Sequence, residues 1–150
     1  MTKVAIVYAS LTGNTRAGAE VLQEAFEELG AEAELFPTYD SDPDDVEDAD
    51  IVLVGVYTYG VGGQLPDEAV DFYEELAEVD WEDKVVAAFG SGDLFYEDLF
   101  CVAVDQMEER LLTTGATLGG ENVKYHLDPD AEAIENLEKL AKECFETFNQ

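Results

Sequence analysis

Apolar residues in this chain follow two alternating patterns. Five short runs read as strands: KVAIVYA (3–9), AELFP (33–37), IVLVGVY (51–57), KVVAAFG (84–90) and VKYHL (123–127). The first, third and fourth are almost continuously apolar, as expected for parallel strands covered on both faces. Between the runs, apolar residues recur at helical spacing. The stripes are Val21, Leu22, Ala25 and Leu29; Val70, Tyr73, Leu76 and Ala77; Phe100, Val104, Met107 and Leu111; and Ile134, Leu137, Ala141, Cys144 and Phe148. Gly30 follows the first stripe where a C-cap glycine belongs. Glu135–Lys139 and Glu138–Lys142 are spaced as favourable i,i+4 pairs on the last helix. DSDPDDVED (40–48) reads as a short helix or loop between the second and third strands. The order predicts one βα-repeat domain over residues 1–150 with about five strands. Ligands of open parallel sheets bind beyond the carboxyl ends of the strands, at the topological switch point. That directs attention to the loops at 10–15, 57–65 and 90–98.

Charge narrows the partners. The chain has 36 acidic residues, 7 basic ones and a net charge of −29, yet 47% of it is hydrophobic, so it is not a disordered acidic segment. Such a charge excludes a nucleic-acid binder that neutralises phosphates and disfavours anionic membranes. It favours steering toward basic partner surfaces, or solubility in concentrated salt, and a high-salt habitat is one reading of it. No apolar stretch approaches the ~20 residues of a membrane span. MTK runs directly into the first strand, so a cytoplasmic protein without a leader is expected. Cys101 and Cys144 lack metal-ligand spacing and read as small buried hydrophobes.

The first loop, SLTGNT (10–15), is built for an anion within this acidic chain. A helix amino terminus offers backbone N–H groups and the positive end of its dipole, so it can hold a phosphate without a cation. Ser10, Thr12, Asn14 and Thr15 add side-chain donors, and Gly13 lets the backbone turn closely. A plain helix cap would use the same residue types. The second loop, YTYGVGGQLP (57–66), places Tyr57 and Tyr59 at the end of a buried strand, followed by flexible glycines. The third, GSGDLFYED (90–98), repeats that design with small residues and then Tyr96. Two aromatic stacking candidates and a phosphate cradle together point to a planar heterocycle that carries a phosphate.

These motifs resemble those of the flavodoxins in their short-chain form, over essentially the whole chain. SLTGNT is similar to the family's phosphate loop, TYG to its first flavin-flanking loop, and GSGD…Y…FC…AVD to its second. The resemblance implies a three-layer α/β sandwich with a five-stranded parallel sheet of order 2-1-3-4-5 and helices on both faces. Flavodoxin is itself a known example of that order, with FMN at the switch point between strands one and three. It implies that Ser10, Thr12, Asn14 and Thr15 hold the FMN phosphate, with Leu11 and Gly13 in the same cradle. Thr58, Tyr59 and Gly60 would form the first flavin loop, and Tyr59 and Tyr96 would flank opposite faces of the ring. Amides around Ser91, Gly92 and Asp93 would meet its pyrimidine edge. The implied function is a low-potential one-electron carrier, a monomer with no catalytic acid, base or nucleophile, because the flavin carries the chemistry. Its partners would be redox proteins with basic docking surfaces, such as a flavodoxin reductase or an electron-accepting enzyme.

Acidity suits that role. A like charge ~10 Å from the reduced flavin costs roughly 0.4 to 1.7 kcal/mol for an effective dielectric between 80 and 20. That is roughly 20 to 70 mV per charge for a one-electron step. The chain departs from the family pattern after TYG, where Val61, Gly62, Gly63 and Gln64 replace the usual acidic residue with one residue inserted. A type II turn centred on Gly60 and Val61 would need positive φ at Val61, which a β-branched side chain resists, so the turn is expected to shift to Gly62. The third loop is also one residue longer at YEDLFC. Arg16 follows the phosphate loop and is a candidate for longer-range pairing with the phosphate; His126 receives no role.

The main rival is a small FMN-dependent NAD(P)H or quinone reductase. At 150 residues the chain leaves little room for the segments that shape a substrate pocket. A receiver domain fails because strand one ends in YAS and strand three in VGVYTYG, without the acidic phosphoacceptor site. A calcium loop at DSDPDDVEDADI fails because Asp45 stands where glycine is needed and Ile51 where glutamate is needed.

Overall fold

A computed structural model describes residues 2–9, 13–57, 65–92 and 101–149, without the side chains of residues 67 and 68. The strands are β1 (Lys3–Tyr8), β2 (Glu32–Pro37), β3 (Ile51–Tyr57), β4 (Val85–Gly92), β5 (Thr117–Leu118) and β6 (Val123–His126). The helices are α1 (Asn14–Glu28), α2 (Asp67–Glu75), α3 (Val102–Leu112) and α4 (Ala131–Phe148). The paired strands are all parallel, in the order β2-β1-β3-β4-β5, with β6 also on β4. The expected order and the expected helical layers are therefore both present.

The continuous apolar runs are explained by two cores. Side chains alternate between sheet faces, so Val4, Ile6, Ile51, Leu53 and Phe89 pack with Leu22 and Phe26 of α1 and Leu137 and Ala141 of α4. Their neighbours Ala5, Val7, Val52, Val54 and Ala88 pack with Phe72 of α2 and with Val104 and Met107 of α3. Because α1 and α2 leave adjacent strands β1 and β3 for opposite faces, the carboxyl ends of β1 and β3 form the switch point.

Three expectations are corrected. The fifth sheet position holds two strands, and β5 was not expected. Val86 pairs with Leu118 and Phe89 with Val123, so three steps along β4 match five along the edge and two residues loop out. There Gly119 passes beneath α4, where a Cβ would lie 2.6 Å from both Cys144 Sγ and Val85 Cγ1. Along α2 and the residue that follows it the buried stripe is Ala69, Phe72 and Leu76, while Ala77 is exposed. Tyr73 remains on the shoulder with the Arg110 guanidinium 4.3 Å from its ring centre. On α4, Lys142 turns to Glu146 (4.0 Å), not back to Glu138. The segment 40–48 becomes a 3₁₀ turn, Pro43–Val46, closed by an Asp42–Asp45 capping box. Lys84 is buried and donates through Nζ to the carbonyls of Glu47 and Ala49, which fastens this segment to the start of β4.

Candidate functional site

The first loop meets the sheet where Ala9 N–H donates to Gly55 O of β3 (2.9 Å). Gly13 is the N-cap of α1 in the left-handed region (φ +92), and a Cβ there would meet nothing within 4 Å. As a glycine, Gly13 offers no side chain to cap α1, and the first turn of the helix contains no acidic residue. The contrast with α4 is informative. There Asp130 Oδ1 accepts from Ala133 N–H (2.9 Å), and Glu132 lies in the first turn. In a chain this acidic, a first turn without a carboxylate leaves the positive end of the α1 dipole unopposed by its own side chains, which suits an anion.

Two hydrogen bonds tie this turn to neighbouring strands. Thr15 is buried, and its Oγ1 lies 3.1 Å from Ser91 Oγ, also buried. The hydroxyl that was expected to face a phosphate thus already joins the first loop to β4, although a hydroxyl has one donor and two acceptor sites. The Tyr125 hydroxyl of β6 donates to Asn14 O (2.7 Å). Gly18 makes room for it, since a Cβ on Gly18 would lie 2.3 Å from the Tyr125 oxygen. Burial pushes the Tyr125 phenol above its ordinary range, so it stays protonated and a donor. Tyr125 was missed at the sequence level. Its signal was an inward aromatic on the VKYH alternation, since a buried tyrosine hydroxyl needs a partner.

The third loop leaves from further along than expected. Ser91 and Gly92 are strand residues, because β6 continues beside β4 with Ser91 opposite Tyr125 and Gly92 opposite His126. Leu127 N–H then donates to Gly92 O (2.9 Å). Cys101, expected within the helix, is instead the N-cap of α3 at φ +54. Its Sγ lies 3.9 Å from Gly90 O and from Tyr125 O, and burial pushes the thiol up to about 12. Gly92 and Cys101, the described residues on either side of segment 93–100, are therefore both held at the junction of β4 and β6. Arg16 is exposed, with Nε 3.7 Å from Glu20 Oε1 one turn along α1.

The described structure thus brings Gly13, Asn14, Thr15, Ser91 and Gly92 to one end of the sheet. Ser10, Leu11, Thr12, Thr58, Tyr59, Gly60, Asp93 and Tyr96 lie outside the described residues, as do the Val61–Gly62 turn and residues 96–100 of the lengthened YEDLFC segment.

Residues 6–147 match the family model described as Flavodoxin. The chain belongs to the flavodoxin family. It is 39% identical over 138 residues to "Probable flavodoxin 2" of Bacillus subtilis (strain 168), covering 91% of this chain and 90% of that one. It is 40% identical over 136 residues to a flavodoxin of Maridesulfovibrio salexigens, covering 89% and 92%. Among solved structures, a short-chain flavodoxin associated with a non-canonical PDU bacterial microcompartment superposes with a TM-score of 0.95, at 36% identity and 99% coverage of each chain. This flavodoxin is an FMN-binding electron carrier that works with redox partner proteins. The donor set fits that cofactor: a left-handed glycine opening a helix, no first-turn carboxylate, and hydroxyls at the switch point.

Proposed function

We propose that residues 1–150 act as one domain that holds FMN without covalent attachment. Its phosphate lies in the cradle Ser10, Leu11, Thr12, Gly13, Asn14 and Thr15. Its ring lies between the loops of Thr58, Tyr59 and Gly60 and of Ser91, Gly92, Asp93 and Tyr96. The carboxylate-free first turn of α1, opened by the left-handed Gly13, is the observation that carries this reading. Bound FMN supplies one-electron redox chemistry. The chain contributes binding, orientation and an electrostatic field. It works as a low-potential carrier and not as an enzyme in its own right.

The acidic surface docks monomeric protein to basic partner surfaces in the cytoplasm, and its excess charge adapts it to a high-salt habitat. Among the described residues no helix is long and apolar enough to cross a membrane. The test is to strip the flavin and titrate the apoprotein with FMN and with riboflavin, which lacks the phosphate. FMN should bind at least about tenfold more tightly, given charge-assisted bonds of ~1.5–3 kcal/mol each. Equal affinities would remove the phosphate cradle. Oxidation of NADPH by the loaded protein without a partner reductase would favour the reductase reading instead.

A further inference from the structure

A residue outside all three loops meets the start of α1. Tyr125 reaches across from β6 and donates its hydroxyl to Asn14 O at 2.7 Å. The Asn14–Thr15 peptide is planar and trans, so its carbonyl and its N–H point in opposite directions. A hydroxyl that fixes the Asn14 oxygen also fixes the direction of Thr15 N–H, one of the first-turn amides of α1. The same Thr15 is held from the side by Ser91, the β4 residue opposite Tyr125. The Tyr125 backbone carbonyl, in turn, lies 3.9 Å from Cys101 Sγ at the far end of segment 93–100. One residue therefore touches the phosphate loop with its side chain and an anchor of the third loop with its backbone.

We infer that Tyr125 is a positioning residue for the cofactor phosphate, acting through the Asn14–Thr15 peptide with Gly18 as the gap that admits it. This rests on the assignment of the phosphate to residues 10–15.

The experiment uses the full-length wild type and Tyr125→Phe, which keeps the ring packed and removes only the donor. Apoproteins are titrated with FMN and with riboflavin, the ³¹P resonance of bound FMN is recorded, and unfolding midpoints in urea are compared. Tyr125→Phe should lose about three- to tenfold in FMN affinity while riboflavin affinity changes less than about twofold, as for one hydrogen bond acting at the phosphate. The ³¹P resonance should move. Gly18→Ala, whose Cβ would displace the hydroxyl, should shift the FMN-to-riboflavin ratio in the same direction. A ratio that Tyr125→Phe leaves at the wild-type value, whether both affinities fall together or neither falls, overturns the inference. A wild type that does not prefer FMN overturns the phosphate assignment beneath it, which is a separate and recognisable result.

Discussion

Gly13 and Gly30 have the same left-handed φ of +92 and different duties. Gly30 closes α1: its N–H donates to Glu27 O, and Ala31 N–H donates to Phe26 O, each at 3.0 Å. Such a six-to-one and five-to-two pair of bonds satisfies carbonyls that would otherwise lack partners. Gly13 opens α1 with empty space where a Cβ would be. Replacing either with alanine should cost about 1–2 kcal/mol in denaturant unfolding, the penalty of an L-residue held left-handed. FMN affinity should separate them, falling for Gly13→Ala and holding for Gly30→Ala. Both glycines were legible in the sequence because a cap is a local signal. The partners of Thr15 and Asn14 were not: Ser91 is 76 residues away and Tyr125 is 111 residues beyond Asn14. No periodicity along the chain encodes those meetings.

At the scale of elements, IVLVGVY became β3 with its stated bounds because a run buried on both faces has few competing readings. β5 was invisible because two residues, Thr117 and Leu118, cannot display a period. Along α2, Ala69 and Phe72 take the buried places expected of Val70 and Tyr73, which lie at the edge, while Leu76 is buried as expected. The joint between segment 43–49 and β4 depends on Lys84, whose ammonium holds two backbone carbonyls. Lys84→Met should therefore cost about 2–3 kcal/mol by urea unfolding, as bonds to a charged donor are lost and buried acceptors are stranded. FMN affinity should hardly change, because Lys84 lies at the opposite end of the strand from the cradle. Between α3 and β6, burial and the nearby Asp105 raise the Glu108 carboxyl, opposed by the hydrogen bond from Asn122. A carboxyl raised on folding stabilises below its unfolded value, and that stability is lost as pH rises through the folded one. Glu108→Gln should flatten the decline in stability between the ordinary carboxylate range and neutrality, as read from urea midpoints across pH.

For the molecule as a whole, the puzzle is an anion-binding loop in a chain of net charge −29. The two features act over different distances. In the proposed cradle, amides and hydroxyls would hold a phosphate at contact, and the first turn of α1 carries no carboxylate to oppose it. The remaining acids act through a field that salt screens, with a reach of about 30 Å at 0.01 M and 3 Å at 1 M. Self-repulsion should make the urea midpoint rise as salt is added. The alternation of strands and helices was legible from the runs and the strand order from the resemblance, whereas the reach of the field depends on the three-dimensional placement of every acid. The measurement that bears most directly on this account is a redox titration of the FMN-loaded protein at low and at high salt. Reduction should proceed in two one-electron steps, with the second potential rising by roughly 20 mV or more as salt screens the surrounding carboxylates. A single two-electron step, or a second potential indifferent to salt, would contradict it.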